Sequence, residues 1–89
     1  MEVTNNKKEF RFESIYPGGE KATLEYRWLK GSMVLMHTVV AASLRGKGAG
    51  SELVKYVLEY AIANNLKIIV YCPFVAKYIN AHKEYEVLM

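Results

Sequence analysis

From Phe10 onward the chain alternates between apolar and polar residues. Phe10 and Phe12 are set against Arg11 and Glu13. After Pro17-Gly18-Gly19 the same two-residue period resumes, with Ala22, Leu24, Tyr26 and Trp28 against Lys21, Thr23, Glu25 and Arg27. A period of two sends successive side chains to opposite faces of a strand, so the pattern predicts a hairpin with one buried and one wet face. Gly31-Ser32 predicts the next turn. Met33 to Val40 is then apolar apart from His37 and Thr38, as in a strand covered on both faces, and is expected at the sheet centre. Alternation groups His37 with Met33, Leu35 and Val39. Residues 1–8 are polar and predict a loose lead-in.

At Ser51 the period changes. Leu53, Val54, Val57, Leu58, Ala61 and Ile62 fall on one helical stripe, and Glu52, Lys55, Glu59 and Asn64 on the other. Asn65 suits a left-handed cap at the end of this helix. Leu66 to Tyr71 is β-branched and apolar, which predicts a second buried strand. Pro73 then opens a short helix whose stripe is Phe74, Val75, Tyr78, Ile79 and His82. The predicted order is β-β-β-α-β-α. A strand-helix-strand unit closes as a right-handed parallel crossover, so the expected class is α+β, with a mixed sheet that is antiparallel at its start and parallel at its end.

Eighty-nine residues support a single domain, because halves of that length could not bury a core without metals or disulfides. With 52% apolar and 24% charged residues the chain is too hydrophobic to stay disordered. Its one cysteine, Cys72, permits no internal disulfide. Two histidines, that thiol and no aspartate do not make the usual zinc set, so no metal is expected. Twelve Lys and Arg against nine acidic residues give a formal charge of +3, which suits a phosphate-bearing partner. No apolar signal core opens the chain, and no stretch approaches the roughly 20 residues that span a bilayer. The expectation is a cytoplasmic protein with no membrane partner.

The segment Leu44-Arg45-Gly46-Lys47-Gly48-Ala49-Gly50 lies between a predicted strand and a predicted helix. Glycines there let bare backbone N–H groups close around an anion, and the helix start behind them adds partial positive charge. Arg45 and Lys47 add full charges, so the loop reads as a pyrophosphate cradle. It is not a Walker A loop, since no lysine is followed by Ser or Thr. It is not a dinucleotide fingerprint either, because the third glycine comes one residue early. The remaining pattern, Arg-x-x-Gly-x-Gly at Arg45, Gly48 and Gly50, resembles the acetyl-CoA loop of the GNAT N-acetyltransferase superfamily. His37-Thr38 and the run Cys72-Pro73-Phe74-Val75-Ala76-Lys77-Tyr78-Ile79 extend the resemblance to the short stand-alone subgroup that lacks the superfamily's two early helices. It covers roughly residues 10–82.

The resemblance implies central parallel strands that splay apart to admit the pantetheine arm of acetyl-CoA, the expected cosubstrate. Thr38, Val39, Val40 and Ala41 would offer it backbone hydrogen bonds. Arg45, Gly46, Lys47, Gly48, Ala49, Gly50 and Ser51 would hold the pyrophosphate, with Lys77 near the phosphates, and the thioester would lie near Cys72 and Tyr78. An amine on a protein, peptide or small molecule would attack the thioester. Many members of the subgroup carry a glutamate after the His-Thr pair, where this chain has Val39, followed by Ala41, Ala42 and Ser43. His37 is then the nearest titratable substitute for the base. Cys72, before a helix N-terminus, is either an acetyl carrier or a pocket-lining thiol. Tyr78 is placed to protonate the departing CoA thiolate. The expected function is acetyl-CoA-dependent N-acetyl transfer. The missing carboxylates keep open a protein that holds acyl-CoA without turnover, and Lys7, Lys8, Arg11, Arg45 and Lys47 a small RNA-binding module.

Overall fold

The computed structural model describes residues 2–89. Five strands form one sheet in the order β1 (Glu2–Asn6), β2 (Arg11–Ile15), β3 (Lys21–Leu29), β4 (Ser32–Val40) and β5 (Ile68–Val70). The first four pair antiparallel. β5 lies parallel to β4 and is reached through α1 (Ala49–Ala63); α2 (Pro73–Ala81) follows it. The class is therefore α+β with a mixed sheet, as the alternation implied.

A single core joins one face of this sheet to both helices. Phe12, Ala22, Leu24, Tyr26, Met33, Leu35 and Ile68 from the strands pack with Leu53, Val54, Val57, Leu58 and Ala61 of α1 and Val75 and Ile79 of α2. These are the alternating and helical stripes of the sequence, except that Ile62 and Phe74 are each 42% exposed, at the margins of their stripes. The opposite sheet face carries the other alternating set. There Arg11 pairs with Glu13 and Arg27 with Glu25, each at 2.6 Å.

Three expectations are corrected. Residues 2–6 are not a loose lead-in: they form edge strand β1, with Glu2 opposite Ile15 and Asn6 opposite Arg11. Met1 lies outside the described residues. An edge strand can be this polar because its side chains find partners in the neighbouring strands. The Tyr26 hydroxyl donates to Asn5 Oδ1 at 2.7 Å, and Asn6 Nδ2 donates to Glu13 Oε2 at 3.3 Å. Second, β3 rather than β4 is the central strand. Third, β4 is covered on both faces only in its first half. A β-bulge lies between the pairs Tyr26–Leu35 and Glu25–His37, so Met36 has no partner across the ladder. The extra residue resets the alternation. Met33 and Leu35 face the helices before it and Thr38 and Val40 after it, while the His37 side chain is 63% exposed and Val39 57% exposed on the other face.

β5 is shorter than the apolar run suggested. Leu66 N–H still bonds the α1 carbonyl of Ala61 at 2.9 Å. At the far end, Tyr71 and Cys72 N–H both donate to the same Leu35 carbonyl, at 3.0 and 3.1 Å, as the chain leaves the sheet. The helix signals held: Asn65 is left-handed at φ 54° just past α1, and Pro73 opens α2.

Candidate active site

The departure of β5 leaves the second half of β4 paired on one edge only. Ala41 N–H bonds Lys21 C=O at 3.0 Å, so alternation turns the polar backbone groups of Val39 and Ala41 toward β3. Those of Thr38 and Val40 point to the side that β5 has left. Of the four residues expected to meet pantetheine, Thr38 and Val40 turn their backbone groups to that side. Arg45 Nε donates to the Val40 carbonyl at 3.3 Å, at the end of the edge that β5 has left.

The chain continues through a 3-10 turn, Ala42–Leu44, into the glycine loop. Gly46 and Gly48 adopt φ 77° and 82°, where a side chain is strained, and no heavy atom lies within 4 Å of where their Cβ would stand. Gly50 is glycine for another reason. A Cβ there would stand 2.9 Å from Phe74 Cζ and 3.2 Å from Val40 Cγ2, so its absence lets the start of α1 close onto β4 and α2. Gly48 caps α1 with no side-chain bond, and the first intrahelical bond runs from Glu52 N–H to Gly48 C=O at 2.9 Å. The N–H groups of Ala49, Gly50 and Ser51 are thus left without intrahelical acceptors, at the positive end of a four-turn helix. They border a cleft of about 440 Å³ lined by Val40, Arg45, Gly46, Gly48, Ser51 and Phe74. Open amides, a guanidinium and space in front of two glycines fit a diphosphate. Lys47 is exposed on the same loop.

Cys72 is the N-cap residue of α2 and 2% exposed. Its Sγ lies 3.4 Å from Thr38 Oγ1, so the splayed half of β4 and the start of α2 meet at this pair. Tyr78 and Lys77 line a neighbouring cleft of about 290 Å³ that shares Ser51 and Phe74 with the first. The Tyr78 ring stacks on His82 at 4.1 Å. Burial, then the nearby Glu84 and Glu59 carboxylates, push its hydroxyl above the usual tyrosine range. Such a phenol keeps its proton and can donate it.

His37 stands apart from Cys72, Thr38 and Tyr78, on the sheet face that the helices do not cover. There its Nε2 meets Glu25 Oε1 at 2.7 Å, and Glu25 Oε2 binds Arg27 Nη2 at 2.6 Å. A carboxylate from the adjacent strand thus stands beside His37. Alternation had placed Glu25 on the wet face, and the bulged register makes it His37's neighbour.

A family model described as GCN5-related N-acetyl-transferase matches residues 11–88. Protein NATD1 of Danio rerio is 28% identical over 89 aligned positions, covering 96% of this chain and 81% of the relative. Protein NATD1 of Gallus gallus is 28% identical over 81, covering 89% and 74%. Among solved structures, the NMR solution structure of a GCN5-like protein from Staphylococcus aureus superposes with a TM-score of 0.75 at 30% identity, covering 98% of this chain and 85% of that one.

Proposed function

Because the chain belongs to the GCN5-related N-acetyltransferase family, we propose that it moves the acetyl group of acetyl-CoA onto an amine acceptor, with the cosubstrate lying between the free edge of β4 and the start of α1. The observation that carries this reading is the continuity of the β4 edge that β5 has left with the open amides of α1, joined by the bond from Arg45 to the Val40 carbonyl. The Thr38–Val40 edge leads through Arg45 directly to the open amides of Ala49, Gly50 and Ser51. An extended amide-bearing arm that ends in a diphosphate complements both at once.

In this arrangement Gly46, Gly48 and the α1 amides hold the pyrophosphate, with Arg45 and Lys47 supplying charge and Lys77 standing near the phosphates. Thr38 and Val40 pair with the pantetheine amides, and Cys72 and Thr38 line the wall beside the thioester. Attack by the amine nitrogen on the thioester carbonyl forms the C–N bond, and an N–H on the β4 edge stabilises the oxyanion. The C–S bond then breaks with its electron pair on sulfur, and Tyr78 protonates the thiolate. Cys72 serves as a wall residue, since its burial and its contact with Thr38 fit direct transfer without a carrier. The RNA-binding reading is not favoured, and a carboxylate beside His37 weakens the case for a holder without turnover.

Isothermal titration with CoA and acetyl-CoA tests the cradle: saturable binding is expected, and no heat at millimolar ligand would end the proposal. Mass spectrometry of amine mixtures incubated with protein and acetyl-CoA then tests transfer, read as a gain of one acetyl mass.

A further inference from the structure

On the helix side of the splay, the cleft at the start of α1 is the one the reading above gives to the cosubstrate. Ala49, Leu53 and Val75 are buried there, and Thr38 meets Cys72. On the opposite side no helix covers the sheet among the described residues, and the side chains displayed by the splayed half of β4 are His37 and Val39, both exposed. This open face gives an acceptor a route to a thioester on the Thr38–Val40 edge that does not pass the cosubstrate. We infer that Glu25 is a positioning residue that holds His37 as the proton acceptor for an amine arriving across the uncovered face of the sheet. This inference rests on the acetyltransferase reading above.

The geometry assigns each atom a task. Glu25 Oε1 lies 2.7 Å from His37 Nε2 and accepts its proton in a hydrogen bond. A neutral imidazole with Nε2–H carries its free lone pair on Nδ1. Arg27 binds the other carboxylate oxygen at 2.6 Å, so the carboxylate is fixed at both oxygens; Arg11, opposite Glu25 on the next strand, is engaged by Glu13. Tyr71, 66% exposed just past β5, and the buried Cys72 are the titratable groups where the chain leaves the sheet. As the amine nitrogen bonds the acetyl carbon, its proton passes to His37 Nδ1. The resulting imidazolium sits against the Glu25 carboxylate, and the C–S electron pair leaves on the CoA sulfur. The bulge at Met36 makes this possible, since unbroken alternation would have turned His37 into the core.

Hydroxylamine tests the pair, because so small an amine needs no acceptor pocket; acetohydroxamate formation from acetyl-CoA is the readout. His37→Gln should lower kcat about 100-fold, the low end of what a general base supplies. Glu25→Ala should lower it about tenfold, with the KM for acetyl-CoA and the melting temperature little changed. The double variant should be no worse than His37→Gln, as for residues acting as a unit. Glu25→Gln, which keeps an acceptor oxygen for Nε2–H, should recover most of the Glu25→Ala loss. Independently of turnover, long-range ¹H–¹⁵N spectra should show His37 as the Nε2–H tautomer. An active wild type with Glu25→Ala unimpaired, additive losses, or an Nδ1–H tautomer overturns this inference alone. No acceleration by the wild type, with hydroxylamine or the amine mixtures, overturns the transferase reading as well.

Discussion

The two halves of β4 form one continuous strand and have opposite uses. Met33 to Leu35 is paired on both edges, to β3 and β5, and all three residues are buried. Thr38 to Val40 is paired on one edge only, and beside it His37 and Val39 face solvent. A single unpaired residue, Met36, divides them. One strand can thus serve both as core and as ligand edge, provided that a bulge ends the pairing on one side without changing the partner on the other.

The largest effect should come from the closed half. Leu35 is fully buried among the strands and helices, and Leu35→Ala should cost about 2–5 kcal/mol of stability through lost transfer energy and a residual cavity. Urea unfolding measures it; a cost below about 1 kcal/mol would mean that this half is not the closed core described. The corresponding change on the ligand side is Gly48→Val. At φ 82° a β-branched residue is strained by about 1–2 kcal/mol, and its side chain would occupy the space in front of the α1 amides. The affinity of the folded variant for CoA should fall at least about 100-fold, or about 2.7 kcal/mol. Arg45→Ala should cost about 2 kcal/mol of CoA affinity, as for a charged phosphate contact, with salt weakening wild-type binding in the same direction. Calorimetry at two ionic strengths reads both terms.

The closed half was legible in the sequence because regular alternation and helical stripes report burial directly: Leu24, Leu35, Val57 and Val75 are core as their spacing implied. The glycine loop was legible for a different reason, since Gly46 and Gly48 perform local backbone tasks that leave a local mark. Three features were hidden because their cause lies elsewhere in the chain. β1 has one apolar residue, Val3, in contact with the core, and its polar residues Asn5 and Asn6 are satisfied by Tyr26 and Glu13. The outward turn of His37 depends on the bulge, which follows from the register with β3 and leaves no mark in the apolar pattern. The Glu25–His37 contact joins residues 12 positions apart only through that register.

Deleting Met36 tests whether the bulge itself separates the halves. The flanking pairs Tyr26–Leu35 and Glu25–His37 would become consecutive members of a regular antiparallel ladder, and every remaining side chain would keep its observed face. The deletion should therefore leave a folded protein, but one in which β4 runs straight and its free edge is displaced from the loop. CoA affinity should fall about tenfold, or about 1.4 kcal/mol, with the melting temperature changed by only a few degrees. Undiminished affinity in the folded deletion variant would show that the splay does not need the bulge.

The smallest expected effect sharpens the comparison through acid. Glu13, opposite Thr4 and Thr23 on the sheet face that the helices leave uncovered, is 6% exposed. The Arg11 guanidinium, and then Asn6, hold its carboxyl below the usual carboxylate range, against the opposing effect of burial. A carboxyl that binds its proton more weakly when folded contributes stability above its unfolded pKa and loses it as the pH falls through the folded value. Thermal melts should therefore show stability that is complete at neutral pH and declines below about pH 4.5, with this pair a small contributor, as for a partly screened ion pair. Glu13→Gln should flatten that part of the acid limb, whereas Glu52→Gln, exposed at the start of α1, should leave its shape closer to wild type. If the two variants gave the same acid profile, the Arg11–Glu13 pair would hold no more of the acid sensitivity than the start of α1 does.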